Sequence, residues 1–430
     1  MDNNQVSGQR TSRRGFLKGS AGVAAVAGGL VVPMGVHAQQ SGTIRVGLVG
    51  CGGRGTGAAG QALAADSQAQ LVAVGDAFQD QADRSVEQLR KQHGPKVQVT
   101  PENRFAGLDA YKRVIDSGID VVLLTTPPHF RPMHLKYAID AGKHVFCEKP
   151  MAVDAPGVRS VIDSANRARQ KGLSLVSGFC WRYHYPERDT FKRVHDGAIG
   201  DVVNVYSTYN TSTLWHKGRQ PEWSDMEWQV RNWLYFTWLS GDHLVEQAVH
   251  SVDKLGWARQ DKDPVRAIAH GGRQQRTDPK YGHVWDHFEV VYEYADGTRG
   301  FLFTRQQDQC ANGVFDYITG TKGQCNIQSG STYVIKGETN WKYEGEKNNM
   351  YQTEHDEMFA SIRKGNPIND GDRMTHSTMM AIMGRMAAYT GQIITWEQAM
   401  NSQEDLTPPH YEFGPLPTPP VAVPGKTKFI

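Results

Sequence analysis

The run Thr43-Ile-Arg-Val-Gly-Leu-Val-Gly-Cys-Gly-Gly-Arg-Gly55 combines a short apolar stretch with a cluster of glycines. Its first seven residues are mostly apolar and partly β-branched, which predicts a buried strand. The Ala-rich segment 58–65 that follows the glycines predicts a helix. A second strand is predicted over 71–75, and Asp76 stands at its end. The order of strand, glycine turn, helix, strand and acidic residue is typical of a parallel α/β sheet.

The spacing Gly50-x-Gly52-x-x-Gly55 in this context predicts a dinucleotide site. Gly50 permits the tight turn, Gly52 lets the backbone approach a pyrophosphate, and Gly55 lets the helix pack close to the strand. Unpaired amides and the positive dipole end of the helix favour phosphate. Asp76 would bind both ribose hydroxyls and repel a 2′-phosphate, which favours NAD, and a helix N-cap is its alternative role. Arg54 could hold a phosphate, so NADP remains possible. The candidates from this segment are Gly50, Gly52, Gly53, Arg54, Gly55 and Asp76.

Strands and helices continue to alternate after this unit. Further strands are predicted at 121–125, 144–147 and 173–177, with a helix over 132–141. Ligands bind at the carboxyl ends of strands in an open parallel sheet. The residues at those ends, which we expect along one edge of the cofactor cleft, are Thr126, Pro127, Glu148 and Lys149.

The segment Gly-Lys-His-Val-Phe-Cys-Glu-Lys-Pro at 142–150, with Thr-Pro-Pro at 126–128 and the glycine turn, resembles the Gfo/Idh/MocA oxidoreductases over nearly all of 43–400. The resemblance implies an N-terminal Rossmann domain and a C-terminal α/β domain with a large, mostly antiparallel open sheet, acting on sugars or polyols. It also implies that Lys149 contacts the nicotinamide ribose and the substrate hydroxyl, and that Lys149–Pro150 is a candidate cis peptide. The predicted divisions are a signal peptide at 1–38, a Rossmann domain at 43–177, a substrate and oligomerisation domain at 178–407 and a Pro-rich tail at 408–430.

The second domain has weaker patterns. A helix is predicted at 186–195, and strands at 201–209, 287–294 and 299–306, with Asp296-Gly297 as a hairpin turn between the last two. Further helices are predicted at 356–363 and 375–392, and the resemblance implies that they return to the first domain. One side of the sheet is expected to be solvated or to face another subunit, which predicts a homo-oligomer, a dimer or a tetramer. The tail from Pro408 is expected to be an arm or a disordered end.

Glu246 and His250 are four residues apart, which predicts a shared helical face. Oxidation of a secondary alcohol removes a hydroxyl proton, and an imidazole is suited to accept it near neutral pH. Lys149 would favour the alkoxide as it forms. The resembling family usually carries Asp and His at this spacing, so the longer Glu246 puts the usual substrate geometry in doubt. A simple Glu246–His250 salt bridge is the alternative.

Six of the ten tryptophans lie between Trp181 and Trp238, and indole rings often line sugar clefts. Core or subunit packing explains most of them equally well. The predicted substrate residues are Arg182, Tyr183, Asn232 and Trp233, and His129 is a further candidate on the cofactor side.

Removing residues 1–38 takes four basic and one acidic side chain from totals of 47 and 45, which leaves a net charge of −1. This balance argues against nucleic acid or an anionic membrane surface as the partner. The five cysteines have no zinc-ligand spacing, and no third ligand joins Glu246 and His250, so no metal is predicted. Mostly free thiols are expected, and Cys310–Cys325 is the one pair worth testing.

The segment Thr11-Ser-Arg-Arg-Gly-Phe-Leu-Lys-Gly19, with a weakly apolar stretch and Val36-His-Ala38 after it, resembles a twin-arginine export signal. It predicts a periplasmic protein that is exported folded, without a membrane anchor in the mature form. Free nicotinamide nucleotide is expected to be scarce there, so the cofactor should stay bound.

Three functions remain open from the sequence. The first is a sugar or polyol oxidoreductase, and the second is a redox-neutral glycoside hydrolase that oxidises a hydroxyl only transiently. The resembling exported hydrolases replace the lysine of Glu-Lys-Pro and carry Tyr-x-x-His, whereas this chain has Lys149 and Glu246-x-x-x-His250. The third is a sugar-binding protein on an inactive scaffold, which the intact glycine turn, Lys149 and His250 disfavour.

Overall fold

The computed structural model describes residues 42–430, so the predicted export signal at 1–38 lies outside the described residues. The first sheet has six strands, all parallel, in the order β3-β2-β1-β4-β5-β6. Its strands are β1 Ile44–Val49, β2 Ala69–Asp76, β3 Arg104–Ala106, β4 Val121–Leu124, β5 His144–Cys147 and β6 Leu175–Ser177. This is the doubly wound order, in which the crevice lies where the strand sequence reverses, between β1 and β4.

Helices cover this sheet because its strands are apolar on both faces. β4 and β5 are buried at every residue. The connecting helices are α1 Gly53–Ala65, α2 Gln79–His93, α3 Ala110–Asp116, α4 Arg131–Asp140 and α5 Ala155–Gln170. The predicted Rossmann topology is confirmed, although α1 begins five residues before the predicted helix, inside the glycine turn.

The second sheet has nine strands in the order β14-β13-β12-β11-β7-β10-β9-β8-β15. Its strands are β7 Val202–Thr211, β8 Arg266–Gly272, β9 His287–Glu293, β10 Arg299–Gln306, β11 Gly313–Gly320, β12 Gly323–Gln328, β13 Thr332–Gly337, β14 Trp341–Lys342 and β15 Ile394–Thr395. Every neighbouring pair is antiparallel except β7 and β10, which are parallel. The predicted hairpin between β9 and β10 is present, and Gly297 in its turn has φ +84°.

Eight further helices follow β6 along the chain. They are α6 Tyr185–His195, α7 Asp225–Arg231, α8 Thr237–Ser240, α9 His243–Glu246, α10 Val249–Ala258, α11 Met350–Lys364, α12 Gly371–Thr390 and α13 Trp396–Asn401. α11 packs against α1, and the almost fully buried α12 packs against both α5 and β8. The other sheet face carries a cluster of aromatic rings on β7, β10 and β11, of which Tyr317 is exposed.

The C-terminal tail is an arm bound to the body of the protein. Phe413 stacks on Phe78 with ring centroids 5.5 Å apart, and the Gly425 amide donates to the Thr390 carbonyl at 2.9 Å. All five cysteines are free thiols, so Cys310 and Cys325 are not joined. Within 42–430, no helix is both long enough and apolar enough to cross a bilayer.

Candidate active site

The turn between β1 and α1 opens into a cavity of about 410 Å³, here called the glycine-turn cavity. Gly50 has φ +95°, and a Cβ at that position would lie 2.7 Å from the Thr126 amide nitrogen. A Cβ at Gly55 would overlap the Gly50 carbonyl oxygen. No side chain caps α1, so its first amides are left to bind an anion. The residues that sequence analysis assigned to the cofactor and that line this cavity are Gly50, Gly52, Gly53, Arg54, Gly55, Asp76, Thr126 and Pro127.

Asp76 is fixed at the end of β2. Its carboxylate accepts hydrogen bonds from the Cys51 amide at 2.7 Å and from the Phe78 amide at 3.0 Å. Burial raises the pKa of Asp76, and these two hydrogen bonds oppose the shift. Phe78, not Asp76, occupies the N-cap position of α2, so the alternative N-cap role is wrong. The uncapped amides, the glycines that leave room for the backbone turn and this carboxylate together fit a nicotinamide dinucleotide.

Arg54 lines the glycine-turn cavity, and its guanidinium is bound by other protein groups. Its guanidinium donates to Glu148, to Glu354 at 3.1 Å and to the Gln61 side chain at 2.9 Å. Glu354 is fully buried; its burial and the neighbouring Glu148 raise its pKa well above the usual value, and Arg54 opposes that shift. The guanidinium thus ties α1 to α11, and the contact of Arg54 with a phosphate stays a prediction.

A second cavity of about 310 Å³, here called the lysine cavity, contains the predicted chemical groups. It is lined by Glu148, Lys149, Glu246 and His250. Five residues line both cavities: Arg54, Thr125, Thr126, Trp215 and Trp233. The two cavities therefore adjoin, and the structure brings Lys149 and His250 to one space beside the glycine turn. Trp233 lies at the junction, as predicted for a pocket wall.

Lys149 follows β5, and its peptide bond to Pro150 is cis, as predicted. Its ammonium donates to the Glu246 carbonyl at 2.6 Å and to the Glu246 carboxylate at 3.0 Å. Both side chains are mostly buried, at 15% and 12% exposure. Glu246 is thus the partner of Lys149, so the alternative of a Glu246–His250 salt bridge is wrong.

Glu246 and His250 do not share one continuous helix, in contrast to the prediction. α9 ends at Glu246 and α10 begins at Val249. At the junction the Ala248 amide bonds the His243 carbonyl, five residues back, in place of the usual four. Both side chains nevertheless line the lysine cavity.

His250 is held as a neutral imidazole. Burial, and then the nearby ammonium groups of Lys149 and Lys254, lower its pKa well below 6.5. Its Nδ1 is buried without a hydrogen-bond partner among residues 42–430, and the Tyr209 ring lies nearly parallel to it at 6.4 Å. A neutral imidazole can accept a proton, so the chemistry assigned to His250 is compatible with its surroundings.

Three predicted substrate residues lie in neither cavity. Arg182 is buried in ion pairs with Asp253 and Asp261, which compensate the cost of its burial. The Tyr183 hydroxyl donates to Asp370 at 2.8 Å, and the fully buried Asn232 bonds the backbone of Lys217. Sequence analysis placed them in the pocket because a polar side chain looks the same in sequence whether it enters a cleft or the core.

His129 lines neither cavity, although Pro128 lines the lysine cavity and Phe130 lines the glycine-turn cavity. Its Nε2 pairs with the Tyr411 hydroxyl of the tail at 2.8 Å, and burial lowers its pKa to about 4. Sequence reasoning also missed several lining residues. In the lysine cavity these are Tyr209, Trp215, Gln247 and Tyr351, and in the glycine-turn cavity His134 and Lys217. Trp215 belongs to the tryptophan-rich segment, whereas no local signal marks the others.

Two family models match the chain. Residues 44–177 match the oxidoreductase family with an NAD-binding Rossmann fold, and residues 189–326 match the GFO/IDH/MocA C-terminal domain. Inositol 2-dehydrogenase 3 from Saccharopolyspora erythraea is 27% identical over 257 residues, 60% of this chain and 65% of that protein. A glycosyl hydrolase family 109 protein from Streptomyces coelicolor is 30% identical over 179 residues, 41% of this chain and 35% of that protein. The chain thus spans less than two thirds of the length of these curated relatives.

The fold is also found in solved structures. The aldose–aldose oxidoreductase from Caulobacter crescentus, complexed with glycerol, superposes with a TM-score of 0.65. The superposition covers 82% of this chain and 99% of that one at 20% sequence identity, which establishes a common architecture.

Proposed function

The chain belongs to the Gfo/Idh/MocA oxidoreductase family, and on that basis we propose that it is an NAD(P)-dependent sugar or polyol oxidoreductase. It transfers a hydride between a bound nicotinamide and a secondary hydroxyl of a sugar, polyol or glycoside. The observation that carries this proposal is the junction of the two cavities. A nucleotide bound over the glycine turn would place its reactive ring beside the space lined by Lys149, Glu246 and His250.

Each residue of the lysine cavity has a distinct task. The nicotinamide, when bound, supplies the hydride acceptor. His250 accepts the hydroxyl proton, since its imidazole is kept neutral. The Lys149 ammonium binds the same oxygen and stabilises the negative charge that develops on it. Glu246 holds that ammonium in place through its carboxylate and its carbonyl.

Export is the second part of the proposal. The segment Thr11–Gly19 supports a periplasmic enzyme that is exported folded by the twin-arginine pathway. Such an enzyme would retain its nucleotide and exchange two substrates in alternation, one reducing the cofactor and the next oxidising it. The aromatic cluster around Tyr206 on the open sheet face supports a homo-oligomer, because exposed aromatic patches mark interaction surfaces.

Purified full-length protein tests the proposal. After gel filtration it should carry nicotinamide nucleotide in near-stoichiometric amount, measured by absorbance of the released cofactor. A panel of inositols, aldoses and glycosides should then include one that changes the fluorescence of the bound nicotinamide. An empty protein with weak affinity for added NAD and NADP would refute retention. A protein that retains the nucleotide but transfers no hydride to or from any member of the panel would refute the reaction.

A redox-neutral glycoside hydrolase is the second candidate, and the match to the Streptomyces coelicolor protein named as a family 109 glycosyl hydrolase favours it. Such an enzyme would oxidise a ring hydroxyl, eliminate the aglycone, add water and reduce the ring again. Lys149 in Glu-Lys-Pro and the Glu246-x-x-x-His250 spacing favour the oxidoreductase. Nitrophenyl glycosides separate the two, because nitrophenol release that needs NAD but yields no net NADH indicates the hydrolase.

A further inference from the structure

One wall of the glycine-turn cavity comes from the second domain. The segment 212–224 between β7 and α7 contributes Trp215 and Lys217 to the lining, and α7 contributes Arg231. Asp76 lies in the same cavity, at the end where the adenosine ribose of a dinucleotide is bound in this fold. The Arg231 guanidinium lies 3.7 Å from the centre of the Phe78 ring, two residues beyond Asp76, and the adjacent Asn232 bonds the backbone of Lys217.

The backbone at Lys217 is held by buried groups. The Lys217 amide donates to the Asn232 side-chain oxygen at 2.7 Å, and the Asn232 side-chain nitrogen donates back to the Lys217 carbonyl at 3.1 Å. The Tyr235 hydroxyl donates to the carbonyls of Leu214 at 2.9 Å and of Trp215 at 3.1 Å. Asn232 is fully buried, so these hydrogen bonds are part of the core and hold Lys217 at the cavity.

Three cationic side chains of Lys or Arg line the glycine-turn cavity, and they differ in their partners. Arg54 is bound by Glu148 and Glu354, as described above. Arg231 pairs with Glu227 at 2.9 Å and with Asp80 at 3.7 Å. Lys217 forms no ion pair with any carboxylate of residues 42–430, and its ammonium lies over the Trp215 ring, 5.6 Å from the ring centre, so its charge is not neutralised by a carboxylate.

We propose that Lys217 binds at the 2′ position of the adenosine ribose and admits a 2′-phosphate there. The choice between NAD and NADP is then shared between Asp76 of the first domain and Lys217 of the second. Asp76 binds the free hydroxyls and repels phosphate, whereas the ammonium offsets that repulsion. The inference rests on the proposed function, since it requires a dinucleotide in this cavity.

The test compares the dissociation constants of NADH and NADPH for full-length protein, measured by nicotinamide fluorescence after the retained nucleotide is removed. Lys217→Met should raise the ratio of the NADPH constant to the NADH constant by about tenfold, the loss expected for one charge-assisted hydrogen bond to phosphate. Lys217→Arg should keep the ratio within about twofold of wild type. Lys336→Met, at an exposed lysine on β13, is the matched control and should change neither constant.

Asp76→Asn should shift the ratio in the opposite direction, towards NADPH. In the double variant with Lys217→Met the two effects should not add, because both residues act on one group. A ratio that Lys217→Met leaves within twofold of wild type would overturn the inference, and so would an equal loss of both nucleotides. Wild-type protein that binds neither nucleotide would instead refute the proposed function itself, so the two failures are distinguishable.

Discussion

The glycine-turn cavity and the lysine cavity adjoin and share five lining residues, yet the rest of their lining differs in kind. The glycines of one short turn, 50–55, line the first, together with side chains from other segments such as Asp76, Lys217 and Arg231. The second is formed by side chains from segments far apart in sequence, among them Lys149, Tyr209, Glu246 and Tyr351. Backbone amides are present whatever the side chain, so the first cavity depends mainly on having room for the turn. The second depends on each side chain and on the ion pair that fixes it.

This difference predicts how the two cavities respond to substitution. Changes in the lysine cavity should abolish chemistry and leave nucleotide binding largely intact. Changes in the glycine turn should weaken nucleotide binding first.

The largest effect is expected for His250→Gln, which removes the proton acceptor. The rate constant of hydride transfer should fall by about 10³-fold, the contribution typical of a general base. Stopped-flow measurement of the bound nicotinamide checks this, together with the dissociation constant of NADH, which should stay within about twofold. His270→Gln, at an exposed histidine on β8, is the control. A variant that keeps more than a tenth of the wild-type rate would remove His250 from the mechanism.

Lys149→Met should lower the same rate constant by about 10²-fold, because one stabilising donor to the developing alkoxide is lost. The Glu246 carboxylate would also lose its partner and part of its fixed position. The control is Lys322→Met, whose side chain is 56% exposed. Steady-state kinetics should show the loss in kcat as well as in kcat/KM. A change confined to KM would contradict the assigned role.

Gly55→Ala tests the glycine-turn cavity instead of the lysine cavity. The added Cβ would overlap the Gly50 carbonyl oxygen, so the turn must open and the amides of α1 must shift. We expect a roughly tenfold weaker affinity for NADH and a destabilisation of about 1–3 kcal/mol, as for other overpacked positions. Isothermal calorimetry and thermal unfolding check these values. Gly57→Ala, where the new Cβ would lie 3.6 Å from the Arg54 side chain, should change neither.

The smallest effect concerns pH. The pKa of His250 is depressed, so its imidazole remains neutral, and able to accept a proton, as the pH falls through 6.5. The value of kcat/KM for alcohol oxidation should therefore not decline between pH 7 and 6. It should decline only at lower pH, where the imidazole becomes protonated. A pH profile with a midpoint near 6.5 would show that burial and the two ammonium groups do not control this residue.

The elements that sequence analysis placed best are those with a single uninterrupted pattern. The strands at 144–147 and 299–306 were predicted to the residue, since their apolar or alternating runs end at clear turn residues. β8 and the strands β11–β15 were missed, because most of their residues are partly exposed and their sequences show little apolar alternation. Sequence analysis left open whether the tail is an arm or a disordered end. Its order comes from contacts such as Phe413 on Phe78, which no local pattern contains.

The residues of the candidate site also differ in how well sequence analysis placed them. Gly50, Gly52, Gly55, Asp76 and Lys149 could be assigned because a motif ties each to a strand end, and the structure places all five at the cavities. Arg182 and His129 each follow a strand end by several residues, but neither belongs to a motif. Their locations depend on partners far along the chain, Asp253 for the first and Tyr411 for the second.

The sequence by itself determined the parallel sheet, the glycine turn and the chemical groups at 149, 246 and 250, because each follows from local spacing and side-chain type. Only the tertiary structure decided which charges pair. Arg54 pairs with Glu148 and Glu354, and Lys149 pairs with Glu246. Lys217 lines the glycine-turn cavity without a carboxylate partner among residues 42–430. The reason is that a buried charge must be compensated by whichever opposite charge the fold brings near, and that partner can lie hundreds of residues away.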